Sequence, residues 1–214
     1  MIYFTRHGES VANVADRAGE PRPHDSDRLS ERGWEQARGV GRRLRGEGIE
    51  AILTSHYKRA QETGRAIGEI LGVEIEVDPD LHEVRQSDQF YASSPHFGDT
   101  ANALWMPSAD PDFAEPGAES FNDVVGRVRR VQDRLIERTQ RQRVLAVSHW
   151  GFLHFFLGVS LFAEDFSPAH LLPLYRISHA NTGISIFDRR DDWEVDGAHF
   201  GGWGLRTWND QGHL

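Results

Sequence analysis

The sequence predicts an α/β protein: a three-layer α/β/α sandwich with a mainly parallel central sheet and an inserted cap over about residues 86–118. Short apolar runs of strand length alternate with longer segments whose apolar residues recur every three to four positions. That alternation argues for a parallel sheet with helices on both faces. The length of 214 residues fits a single domain, 1–214, with one insertion.

Residues 1–5 form the first strand. SERGWEQARGVGRRLRGEG (30–48) is helical, with Trp34, Ala37, Val40 and Leu44 on one face and glycines at its end. EAILTS (50–55) is a short buried strand, YKRAQETGRAIGEILG (57–72) a second helix and VEIEVD (73–78) a third strand. Residues 86–118 break the pattern. Pro95, Pro107, Pro111 and Pro116 punctuate them, and Phe90, Tyr91, Phe97, Trp105 and Phe113 lie among them. From Glu119 a long helix runs on the stripe Val124, Val128, Val131 and Leu135, and its arginines read as a solvated face. RVLAVSH (143–149) is a strong buried strand, and an apolar helix follows from Trp150. LYRISH (174–179), GISIFDR (183–189) and WEVDGAHF (193–200) read as late strands. There is no internal repeat, low-complexity tract or linker.

The net charge of −9 argues against general nucleic-acid binding, although a few arginines can still dominate a pocket for a small anion. Lys58 is the one lysine. Cysteine is absent, which removes disulfides, thiol chemistry and cysteine metal sites. The run WGFLHFFLGVSLFA (150–163) is too short for a membrane span and reads as a buried helix. No leader precedes the first strand, so a soluble cytoplasmic protein is the default.

Ligands of parallel sheets bind beyond the carboxyl ends of the strands. Two predicted strands end in histidine, at His7 and His149, each with a glycine within two residues. A third leads through Ser55 to Arg59, one turn into a helix. Arg6, His7, Arg59 and His149 are therefore expected at one sheet edge. Arginine and histidine are costly to bury unpaired. They form either an ordinary strand end or a site held for an anion. A lone histidine there is more often structural; two at equivalent ends with two arginines favour the anion.

FTRHGESVAN resembles the signature of the histidine phosphatase superfamily, also called phosphoglycerate mutase-like. Further segments resemble it in order: LSERGWEQA (29–37), SHYKRAQET (55–63), LHE (81–83), PGAESF (116–121), VSHWG (147–151) and NTGI (181–184). The resemblance implies that His7 attacks phosphorus and becomes phosphorylated. Arg6, Arg59 and His149 would then form the phosphate pocket, Asn13 would add an amide and Trp150 would line the substrate. It also implies Glu83 as proton donor, with Asp88 and Glu115 as fallback acids. A donor carboxyl would call for burial or hydrogen bonding of its neutral form. Neither metal nor cofactor is implied; the partner is a small phosphorylated substrate, with no nucleic acid or membrane, and a homodimer is open.

Two departures matter. VRQSDQFY follows Glu83 where many relatives carry a glycine-rich stretch. Residues 86–126 hold no Lys or Arg but several acids, which offers a doubly anionic phosphoglycerate little help beyond Arg85. Hydrolysis is therefore expected over mutase chemistry. The alternatives are a mutase, a non-catalytic phosphate-binding module and a metallohydrolase. The last lacks ligand spacing on any one element.

Overall fold

Ile2–Arg6 (β1) is the axis on which the molecule is built. In the computed structural model, which describes residues 1–87, 110–192, 194–199 and 201–214, this strand lies inside a six-stranded sheet of order β3-β2-β4-β1-β5-β8. The flanking strands are Ala51–Thr54 (β2), Ile75–Val77 (β3), Val144–Ser148 (β4), Ile184–Arg190 (β5) and Gly202–Asp210 (β8). β1 to β4 run parallel; β5 is antiparallel to β1, and β8 is antiparallel to β5. Glu194–Val195 (β6) and Ala198–His199 (β7) form a separate hairpin. The predicted α/β sandwich with a mainly parallel sheet is thus what the chain forms.

Alternation along the buried strands feeds two cores. Ile2, Phe4, Ala51, Leu53, Val144 and Ala146 face one layer, where the helices Phe121–Thr139 (α4) and Trp150–Phe162 (α5) pack. Tyr3, Ile52, Leu145 and Val147 face the other, where Glu31–Arg43 (α2) and Lys58–Leu71 (α3) supply Val40, Leu44, Ala60 and Ile67. Successive side chains of a strand point to opposite faces, so strands covered on both sides must be apolar throughout. Phe4 packs against Phe152, Phe156 and Phe187 with centroids 4.6–6.4 Å apart. Burying each such ring stabilises the fold by roughly 1.5–3 kcal/mol.

The ends of these elements follow local chemistry. Ser30 caps α2 through the Gly33 amide at 3.0 Å. Ser10 caps a helix the sequence reading left out, Val11–Ala18 (α1), reciprocally with Asn13. LYRISH is not a strand. Ser167 precedes Pro168 at the start of Pro168–Leu174 (α6), a good first helical position for proline, and residues 175–179 continue without strand pairing. WEVDGAHF contributes only the small hairpin. The nine-residue run that does extend the main sheet, β8, escapes the sequence pattern because glycines open it and its register shifts against β5. Of the expected cap, residues 88–109 lie outside the described residues, and with them Asp88, Phe90, Tyr91, Phe97 and Trp105. Phe113 is exposed. None of the described helices is long and apolar enough to cross a membrane.

Candidate active site

β1 and β4 are neighbours in register, with Arg6 opposite Ser148. The His7 amide continues the ladder to the Ser148 carbonyl at 2.9 Å. Each strand then hands its histidine to the same edge, and the two rings lie 5.1 Å apart. Both are buried.

Glycine 8 lets the chain turn away tightly. A Cβ there would lie 2.5 Å from the Gly33 carbonyl, and one on Gly33 would lie 2.1 Å from the Glu9 carbonyl. The two backbones touch because neither residue has a side chain. α2 secures the same turn three more times: the Ser30 hydroxyl donates to Glu9 Oε1 at 2.7 Å, the Ser30 amide to the Glu9 carbonyl, and the Glu9 amide to Gln36 Oε1, both at 2.9 Å. Arg17 pairs with the other Glu9 oxygen. From α3, Thr63 accepts from the Gly8 amide at 2.9 Å and donates to the Arg59 carbonyl at 2.7 Å. The conspicuous letters of LSERGWEQA and SHYKRAQET are therefore clamps on the RHGE turn.

The His7 Nδ1 lies 2.7 Å from the carbonyl of Gly8. An acceptor there fixes the proton on Nδ1 and leaves the Nε2 lone pair free. Burial, then Arg59 and Arg6, hold the ring well below the ordinary histidine range, so it is neutral near pH 7. His149 is lowered likewise by burial, Arg59 and His7. Its Nε2 meets Ser55 Oγ at 2.6 Å and its Nδ1 meets Arg59 Nη2 at 3.1 Å. An arginine can only donate, so Nδ1 accepts and Nε2 carries the proton to Ser55. Ser55 stood in a quoted motif without a role; it orients His149.

Arg6 donates to the His179 carbonyl at 2.9 Å, and its Nε is buried without a hydrogen-bond partner among the described residues. Enclosure lowers its guanidinium to about 10, which leaves it charged near pH 7. An orphaned donor on a cation is what an anion would complete. Arg59 lies over the Tyr57 ring at 4.7 Å and pairs with Asp27. Asn13 Oδ1 is occupied by the Ser10 amide at 3.2 Å and by Asn181 Nδ2 at 3.1 Å, which leaves the amide nitrogen as the end of Asn13 that can donate to a ligand. Asn181 also donates to the His7 carbonyl at 3.0 Å. Trp150 packs its ring on His154 and Tyr175, with centroids 4.1 and 4.6 Å away.

Glu83 is held by backbone amides. All its partners donate: the Val84 and Phe152 amides to Oε1 at 2.9 and 3.1 Å, and the Gly151 amide to Oε2 at 3.2 Å. The carboxyl group is thus seated on the first turn of α5, where converging backbone amides fix its position. Gly151 makes the seat possible, since a Cβ would sit 2.5 Å from Glu83 Oε1 and 3.0 Å from Val84 Cγ2. Gly151→Ala should displace the carboxylate and lower kcat about 10–100-fold with an unchanged circular dichroism spectrum. Equal kcat would detach Glu83 from turnover.

Behind Glu83 the structure corrects an expectation. Arg127, read as part of a solvated face, is 2% exposed. It makes a bidentate pair with Glu119 at 2.8 and 2.9 Å and donates to the Asp80 and His82 carbonyls at 2.8 and 2.9 Å. Glu119 also accepts from the Arg85 amide at 2.9 Å. The pair ties the loop carrying Glu83 to α4. Of the fallback acids, Glu115 is engaged by the Ser87 hydroxyl. No group of three or more metal-binding side chains occurs among the described residues.

Fold and site together define a protein class with paired histidines and arginines at the edge of a mainly parallel sheet. The chain belongs to the histidine phosphatase superfamily (branch 1), whose profile matches residues 2–210. It is 27% identical over 217 residues to a probable phosphoglycerate mutase GpmB from Erwinia tasmaniensis, covering all of this chain and 94% of that one. Two solved structures share the fold. A mycobacterial glucosyl-3-phosphoglycerate phosphatase superposes with a TM-score of 0.73 at 23% identity, over 97% of this chain and 98% of the other. Phosphoserine phosphatase from Entamoeba histolytica gives 0.73 at 19% identity, over 100% and 98%.

Proposed function

We propose that the protein is a phosphomonoesterase that hydrolyses a small phosphorylated molecule through a phosphohistidine on His7, without metal or cofactor, in the cytoplasm. The observation that carries this reading is the His7 ring: buried, neutral, its Nδ1 proton spent on Gly8, which leaves its Nε2 lone pair for phosphorus beside two guanidinium groups, Arg6 and Arg59. The substrate phosphoryl group would be gripped by the guanidinium groups and the Asn13 amide, which also stabilise charge as the transfer proceeds.

In the first half-reaction Nε2 bonds to phosphorus as the ester P–O bond breaks. The departing alkoxide takes a proton from Glu83, which enters the cycle protonated. A carboxyl group has about four lone-pair sites; three face backbone amides, so one is left to carry that proton and deliver it. In the second half-reaction Glu83, now a carboxylate, accepts a proton from the water that attacks phosphorus. The N–P bond breaks, and inorganic phosphate and the starting enzyme are restored.

Mutase chemistry is the second reading, favoured by the name of the GpmB relative. It requires the alcohol product to stay and be rephosphorylated at a second oxygen. The absence of Lys and Arg from residues 86–126 leaves a carboxylate-bearing alcohol little to hold it, and that favours release. Comparing kcat/KM for an aryl phosphate with that for 3-phosphoglycerate tests the choice. The aryl ester should win and inorganic phosphate should appear with both. Interconversion of 2- and 3-phosphoglycerate would instead establish a mutase.

A further inference from the structure

Arg59 has an acidic neighbour that the reaction above does not use. The segment before α2 folds back onto the start of α3. Asp27 Oδ2 accepts from the Lys58 amide at 2.9 Å, its Oδ1 pairs with Arg59 Nη1, and the Leu29 amide donates to Glu62 Oε2 at 2.7 Å. Asp25 reaches the Lys58 ammonium at 3.3 Å. Asp27 thus caps α3, whose own N-cap residue, Tyr57, makes no side-chain cap bond. It also places a negative charge directly on a guanidinium that faces the two site histidines. Both terminal nitrogens of Arg59 already carry a partner, Asp27 on one and His149 on the other.

We propose that Asp27 is a positioning residue that limits phosphate affinity: by occupying Arg59 it makes an incoming phosphate share that guanidinium with a second anion, and so hastens product release. The proposal rests on the reading that this pocket binds phosphate. Two effects oppose each other. Asp27 steadies Arg59, which would help binding, and its charge repels the ligand, which would hinder it. Arg59 is also held by His149 at 3.1 Å and by the Tyr57 ring at 4.7 Å, and its side chain is only 18% exposed. Losing one of three restraints therefore costs little order, and the repulsion dominates. The Asp27 side chain is 42% exposed, so screening keeps the effect modest.

The test is titration of the protein with inorganic phosphate, followed by calorimetry, beside steady-state kinetics. Asp27→Asn keeps an oxygen for the Lys58 amide and removes the charge. Its phosphate Kd and product-inhibition constant should fall about three- to tenfold. KM should fall with them, and the difference should shrink in 1 M NaCl. Asp27→Glu should return Kd to the wild-type range, and Asp25→Asn should leave it unchanged. Phosphate binding that is unaltered or weaker in Asp27→Asn, or an equal gain in Asp25→Asn, overturns the proposal. A wild-type protein that binds no phosphate overturns the pocket reading itself, which separates the two failures.

Discussion

Replacing His7 with alanine is expected to lower turnover about 10⁴–10⁶-fold, the scale at which enzymes lose a covalent nucleophile. No other described side chain can take its place. His149 is committed at both nitrogens, to Ser55 and Arg59. The variant should still bind inorganic phosphate, because Arg6, Arg59 and Asn13 are untouched, so loss of activity with retained binding separates chemistry from unfolding. In the wild type, rapid quenching with ³²P-labelled substrate should trap label that survives base and is released by acid, as a phosphoramidate bond requires. His7→Ala should trap none. A variant that keeps more than a few per cent of turnover would remove His7 from the role.

Glu83→Gln should slow turnover about 10²–10⁴-fold, the usual worth of a general acid–base group. The seat on α5 sharpens the expectation. Its three amide partners all need an acceptor, and the glutamine amide nitrogen cannot be one. The substitution therefore both removes the exchangeable proton and unsettles the side chain. The two consequences respond differently to the substrate. Loss of a proton donor matters little to a nitrophenolate, which leaves unaided, and greatly to an alkoxide. Misplacement alone would slow both alike. The ratio of wild-type to variant kcat/KM, measured on a nitrophenyl ester and an alkyl ester, should thus be much larger for the alkyl ester. Equal ratios would send the proton-donor role elsewhere.

The residues that touch the reacting centre were the easiest to read. Arg6, His7 and His149 end strands whose apolar runs are unmistakable, and Arg59 follows a strand by one turn. Local pattern and topology suffice to bring them together. What escaped was the machinery that holds them. Arg127 sits in an arginine-rich helix, and composition made it look solvated. Its position, three residues after Val124 and four before Val131, puts it on the buried stripe, and that was the available signal. The Asp27–Arg59 pair joins two segments with no periodic relation, so nothing local announces it. Glu83 was placed by motif order, but its seat of amides depends on the start of α5, a tertiary contact. The errors in LYRISH and β8 have one cause. Short mixed segments near the sheet edge are decided by what they pack against, and propensity is a weak guide there.

The central place of β1 has a consequence for how the protein is made. Ile2-Tyr3-Phe4 leaves the ribosome well before its partners β4 and β5, which lie about 140 and 180 residues further along the chain. Until then an apolar strand with both hydrogen-bonding edges open has nothing native to pair with, the kind of exposure that invites misassociation during synthesis. The same delay postpones the site, because His7 and His149 cannot meet before β4 docks. Catalytic activity appearing during translation would therefore report the closing of the sheet, and slowing elongation between β1 and β4 should lengthen the window for chaperone capture of the nascent chain.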